Sequence, residues 1–114
     1  MSKLVWVNPL RPGKLAAYKQ FCATNAGPKK AEYIDLLKRY GLKDVEVYYH
    51  KLGEQEFVMV IHNIEADAME RLAHFAESKN PYDQWFTEQL KALHNFEEVP
   101  GAGVSEYLLN FHYS

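Results

Sequence analysis

Cysteine is nearly absent from this chain: Cys22 stands alone, which excludes an intramolecular disulfide and a thiolate-rich zinc site. A lone thiol in this setting is by default a small buried hydrophobe. Long apolar runs are missing as well. No stretch is long enough to span a membrane, and Met1-Ser2-Lys3-Leu4-Val5-Trp6-Val7-Asn8-Pro9 lacks the apolar centre of a secretory signal, so a cytosolic location is expected. Neither sign of charge dominates. Thirteen basic and fifteen acidic residues are interspersed, the formal charge is −2 and the sequence pI is about 6.2, which gives neither a nucleic-acid footprint nor a patch for anionic membranes. The expected partner is a small molecule, a second copy of the chain, or both.

Motifs with a built-in chemistry are also lacking. There is no nucleophile elbow, no phosphate-binding glycine loop and no dinucleotide fingerprint, which leaves hydrolase, kinase-like and nicotinamide-dependent activities without support. Gly101-Ala102-Gly103 reads only as a turn. The histidines at positions 50, 62, 74, 94 and 112 form no pair three or four residues apart, so no metal site is expected. Adjacent strands could still bring His50 and His62 together across a hairpin, with His112 beside them. The plain reading is a set of partly exposed strand-end histidines, and no cofactor is expected.

What the chain does have is apolar and aromatic material: 47% of its 114 residues are hydrophobic and 14% are aromatic. That suffices for one core, so a single domain over residues 1–114 is expected. The aromatic surplus suggests an aromatic-lined cavity or interface.

Periodicity gives the order of elements. Lys3 to Asn8 alternates as a strand and stops at Pro9. From Lys14, the residues Leu15, Tyr18, Phe21 and Cys22 recur at helical spacing until Asn25-Ala26-Gly27-Pro28 interrupts them. A second helical segment, Pro28 to Tyr40, follows as a kink or a separate helix, with Gly41 as its stop. Val45–His50 and Glu56–His62 flank Lys51-Leu52-Gly53-Glu54-Gln55 as a hairpin. Glu65–Ser78 reads as an amphipathic helix. Another helix starts at Asn80-Pro81 and carries Tyr82, Trp85, Phe86, Leu90 and Leu93. After the Pro100–Gly103 turn, a last strand is expected from Val104 to Tyr113.

This order, βαββαβ, is that of the ferredoxin-like α+β class, an antiparallel four-stranded sheet with helices on one face. Val45, Val47 and Tyr49, or Phe57, Met59 and Ile61, would leave apolar sheet surface in water. A homodimer in which two sheets form a dimeric α/β barrel would cover it.

Tyr18 shares its helix face with Leu15 and Cys22, so its ring fills core space while its hydroxyl needs a partner. Trp85 and Phe86, taken one at a time, are packing residues by default. Together, ring faces and a few hydroxyls suit a sugar, whose C–H faces stack on aromatics while its hydroxyls take hydrogen bonds.

With these residues in view, the chain resembles the L-rhamnose mutarotase family and its uncharacterised relatives among the dimeric α/β-barrel proteins. The likeness is carried by Asn8-Pro9 and Tyr18, the hairpin, Gln84-Trp85-Phe86, Ser105-Glu106 and Phe111. It implies that Tyr18, Trp85 and Phe86 bind a sugar. The family's proton donor is a histidine one helical turn after that tyrosine, and here Cys22 occupies the place. A second family tyrosine falls on Val45, with Tyr48 and Tyr49 close behind, and the first helical region is several residues longer in this chain.

Mutarotation opens and recloses a hemiacetal, which requires one group to protonate the ring oxygen and another to take the anomeric proton. On this reading His50, or in second place His62, supplies the relay with Tyr18. The expected pocket is lined by Tyr18, Cys22, Tyr49, Trp85 and Phe86. The competing expectation is a non-catalytic ligand-binding or interaction domain that kept the pocket without the histidine. A small-substrate monooxygenase on the same barrel is a third alternative and rests on fold analogy alone.

Overall fold

The computed structural model describes residues 3–95, 102–106, 108, 109, 111 and 112. Alternating β-branched and aromatic residues form β1 (Lys3–Pro9), β2 (Glu46–Leu52) and β3 (Gln55–Asn63), and a short β4 (Ala102–Ser105) follows. The sheet order is β2-β3-β1-β4, and every pairing is antiparallel. The three long strands carry most of the ladder. β2 and β3 meet through a two-residue turn in which Gly53 takes a φ of 61°, a conformation that glycine adopts without a Cβ clash.

The first helical region is two helices, α1 (Leu15–Ala26) and α2 (Lys30–Arg39). The break falls at Gly27-Pro28, where Pro28 has no N–H to continue the ladder. α2 stops at Gly41, whose φ is 70°. A Cβ there would lie 3.3 Å from the Cβ of Glu65 and 3.4 Å from that of Ala68. Gly41→Ala should therefore cost about 1–2 kcal/mol from the left-handed backbone alone, measured by urea denaturation against wild type. An unchanged midpoint would show that the turn relaxes freely.

Two expected elements need correction. Glu65–Ser78 is not one helix but a short α3 (Ala68–Leu72) followed by a 3₁₀ turn at Phe75–Glu77. The change to a tighter turn after Leu72 carries Phe75 against the Tyr40 ring, with centroids 5.0 Å apart, and against Phe86. The final strand is also displaced: Ala102 and Gly103, expected in a turn, belong to β4, which ends at Ser105. Leu108, Leu109 and Phe111 beyond it are exposed and outside any strand. Pro100, Gly101 and Tyr113 lie outside the described residues.

α4 (Pro81–Leu93) is well started. Pro81 occupies its first turn, and the Asn80 side chain accepts hydrogen bonds from the backbone N–H groups of Tyr82 and Asp83. The helices cover the sheet face that carries Leu4, Trp6, Asn8, Val58, Val60 and His62, with Leu4 and Val58 fully buried. One core cluster joins Leu4, Leu36, Tyr40, Leu42 and Tyr82, and a second joins Leu10, Tyr18, Phe21, Val58 and Leu93. Trp85 and Phe86 pack against both.

The opposite sheet face carries Val5, Val7, Phe57, Met59 and Ile61, none of them fully buried. The two apolar sets expected at an uncovered surface thus lie on opposite faces. Val47 stands opposite Val60 and Tyr49 opposite Val58 on the helix side, whereas Phe57, Met59 and Ile61 face away.

Candidate functional site

Between the helices and the sheet lies a cavity of about 820 Å³. Its floor is strand side chains of one parity, Trp6 and Asn8 from β1 and Val58, Val60 and His62 from β3. Its roof comes from α1, α2 and α4, through Tyr18, Cys22, Tyr33, Leu36 and Phe86 among others. Val47 and Tyr49 line it from the edge strand and are 40% and 42% exposed, so the cavity opens toward β2.

Polar residues are the minority of the lining: Asn8, Tyr18, Lys19, Asn25, Tyr33, Tyr49, His62, Thr87 and Lys91 stand among hydrocarbon and ring surface. Asn8 is 4% exposed, and its Oδ1 has no hydrogen-bond partner among the described residues, a costly arrangement for a buried acceptor. Tyr18 and Tyr33 make no hydrogen bond through their hydroxyls among the described residues; their partners are rings. Burial pushes Tyr33 up to about 12 and Tyr18 higher still, and the neighbouring Cys22 adds to both shifts. Burial raises the Cys22 thiol as well. All three are therefore held protonated at neutral pH. Raised in this way, the Cys22 thiol is a poor nucleophile and a poor base.

His62 also lies on this wall. It is 4% exposed, and its Nδ1 lies 2.6 Å from the carbonyl oxygen of Asp44. A proton on Nδ1 donated to that carbonyl leaves Nε2 with its lone pair. Burial lowers the His62 pKa, only partly offset by the hydrogen bond to Asp44, so the ring is neutral at pH 7. His94, buried against the Tyr18 ring with centroids 5.3 Å apart, is lowered by burial too.

Neutral buried histidines have a sign-definite consequence. The unfolded chain takes up protons below about pH 6.5 while the folded one resists them, so stability is intact above that pH and falls as the pH drops through the folded-state values. Urea midpoints should decrease from pH 7 to pH 5, and His62→Gln should reduce the slope. A midpoint that stays level over that interval would show that neither ring is held neutral.

The expected pocket residues are only partly brought together. Tyr18, Cys22, Tyr49 and Phe86 line the cavity. The Tyr49 hydroxyl is committed elsewhere, donating to Glu56 Oε1 at 2.7 Å. Trp85 is not on the wall; its ring packs beside Phe21 and Tyr82 and beneath the ammonium of Lys29, 4.8 Å from the centroid. Consecutive helix residues point about 100° apart, and Phe86 takes the inward direction. His50, expected as Tyr18's relay partner, is exposed and pairs with Phe57 on the opposite sheet face, because it follows Tyr49 in a strand. His50 and His62 therefore do not meet across the hairpin, and among the described residues no group of three metal-ligating side chains forms.

Sequence reasoning missed Asn8 and Tyr33. Asn8 shares the parity of Leu4 and Trp6, a signal that becomes useful only once the covered face is known. Tyr33 sits on α2, stacked on Phe86 at 6.0 Å and 15°. Its arrival over α1 depends on the turn at Gly27-Pro28, which no periodicity encodes.

No family model matches the sequence, and no curated protein matches it. Solved structures do. An L-rhamnose mutarotase from Formosa agariphila superposes with a TM-score of 0.60 at 16% identity, over 96% of this chain and 98% of that one. A protein from Agrobacterium tumefaciens gives 0.58 at 18% identity, over 92% and 89%. At these identities the likeness is one of fold: the chain is an α+β protein with an antiparallel sheet, built like the mutarotase, and none of its described helices is long and apolar enough to cross a membrane.

Proposed function

We propose that this protein is a homodimeric α/β barrel of ferredoxin-like units that binds a small molecule between its helices and its sheet. The observation that carries the reading is the 820 Å³ cavity itself, with the buried Asn8 Oδ1 left without a partner among the described residues and two protonated tyrosines on the wall. Apolar walls with a few placed polar groups are the usual make-up of a ligand pocket.

A second copy belongs on the open sheet face. Val5, Val7, Phe57, Met59 and Ile61 form an apolar surface there, which in water favours association. Sedimentation velocity should give twice the monomer mass, and Met59→Glu should shift it to the monomer. A wild-type monomer at micromolar concentration would overturn the barrel.

A catalytic version is favoured by one arrangement. Tyr18, whose protonated hydroxyl can hydrogen-bond a ring oxygen, and His62, a neutral base, share the cavity, and these meet the two atoms at which opening a hemiacetal needs help. The mutarotase-like fold agrees with this chemistry. It moves the relay from His50 to His62. Saturation-transfer NMR on free hexoses, L-rhamnose included, and on aromatic cyclic hemiacetals tests both versions. Contact with accelerated α/β exchange marks an isomerase, contact alone a binding module, and no contact from any compound overturns the ligand-binding reading.

A further inference from the structure

Resting on the ligand-binding reading, we infer that the occupant of the cavity is a largely apolar ring system carrying one or a few hydroxyls, and not a bare polyol such as a free hexose. A space of about 820 Å³ lies in the range that holds a drug-sized molecule, several times what a single pyranose fills. Val58, Val60, Leu36, Leu37 and Phe86 offer hydrocarbon and ring surface, which rewards apolar contact and returns no hydrogen bond.

The polar groups set the hydroxyl count. The Tyr18 and Tyr33 hydroxyls are held protonated and can donate, while among the described residues Asn8 Oδ1 lacks a donor, which a ligand hydroxyl would supply. With His62, these serve one or two ligand oxygens; of the other polar lining residues, Asn25 already bonds Phe21 and Tyr82, Tyr49 donates to Glu56, Lys19 and Lys91 are exposed, and Thr87 is half-buried. A hexose carries a hydroxyl on nearly every carbon, and those turned to the aliphatic wall would lose water and gain no partner. On the catalytic reading, the hemiacetal is therefore one ring of a larger apolar molecule.

The test uses the purified full-length chain, with tryptophan fluorescence as the readout, because Trp6 lies on the cavity wall. Three probes are titrated: a monohydroxyflavone, the parent flavone and L-rhamnose. Both flavones should bind more tightly than the sugar, and the hydroxylated one roughly tenfold more tightly than its parent, the effect of about one hydrogen bond. Asn8→Leu should abolish that tenfold preference and leave flavone binding in place. Should Asn8→Leu fail to fold, Tyr18→Phe, which removes one oxygen, carries the same test.

Val60→Trp, which fills the cavity, should block both flavones, and binding that survives it overturns the assigned location. Equal affinity for the two flavones overturns the hydroxyl requirement. L-rhamnose binding more tightly than either flavone overturns the inference and leaves the ligand-binding reading standing, whereas silence from all three probes overturns both.

Discussion

Asp83→Ala should cost about 3–5 kcal/mol of folding stability, the largest loss expected from any single side chain outside the apolar core. The Asp83 side chain is 1% exposed, and it receives the Arg39 guanidinium through two hydrogen bonds of 2.7 Å. Ser78 donates to it at 2.6 Å and Tyr40 at 3.4 Å. Truncation takes this acceptor from Ser78 and Tyr40, leaves Arg39 with Asp35 as its remaining carboxylate, and uncouples α2 from the start of α4. Burial alone would raise the Asp83 carboxyl, but the hydrogen bonds from Arg39 and Ser78 and the guanidinium charge outweigh it and hold it below the usual carboxylate range.

A depressed carboxylate contributes stability that is present above its unfolded pKa, near 3.9, and is lost as the pH falls through the folded value. Wild type should therefore lose more stability between pH 5 and pH 2 than Asp83→Asn. Urea midpoints of the two proteins that fall in parallel over this range would sink the assignment. An Asp83→Ala loss under 1 kcal/mol would show that Arg39, whose side chain is 33% exposed, simply turns to water.

None of this network was visible in the sequence. Arg39 and Asp83 lie 44 residues apart, and each reads locally as an ordinary solvated charge. What could be read was whatever has a period. The spacing of Leu15, Tyr18, Phe21 and Cys22 put Tyr18 and Cys22 on one helix face, and both do line the cavity. The Val45–His50 and Glu56–His62 runs placed the hairpin within a residue or two. Parity within the hairpin was legible too, but not which parity the helices cover. That choice depends on packing between distant segments, and it separates Tyr49 and His62 on the covered face from His50 on the open one. The same limit applies to Trp85 and Phe86, neighbours on a helix whose rotation is fixed by what packs against it. The 3₁₀ turn at Phe75–Glu77 escaped because an apolar pattern continues through it while the backbone does not.

The catalytic reading makes its sharpest statement at His62. With an aromatic cyclic hemiacetal as substrate, His62→Gln should slow enzyme-catalysed anomeric exchange by roughly 10²–10⁴, the usual contribution of a positioned general base, because an amide takes no proton at neutral pH. Tyr18→Phe should also slow exchange, by less, because it removes a hydroxyl that hydrogen-bonds the ring oxygen. His50→Ala should leave the rate unchanged, since His50 points away from the cavity. Cys22→Ser should also change little, because the thiol is held protonated by burial and performs neither role. The pH profile separates a chemical role for His62 from a structural one. Exchange should fall on the acid side as His62 gains a proton, below the ordinary histidine value because burial lowers its pKa, and should stay level on the alkaline side through pH 9, because burial holds Tyr18 protonated. The acid limb should vanish in the residual activity of His62→Gln. An acid limb that persists in that variant would assign the titration to another group and leave His62 as part of the wall.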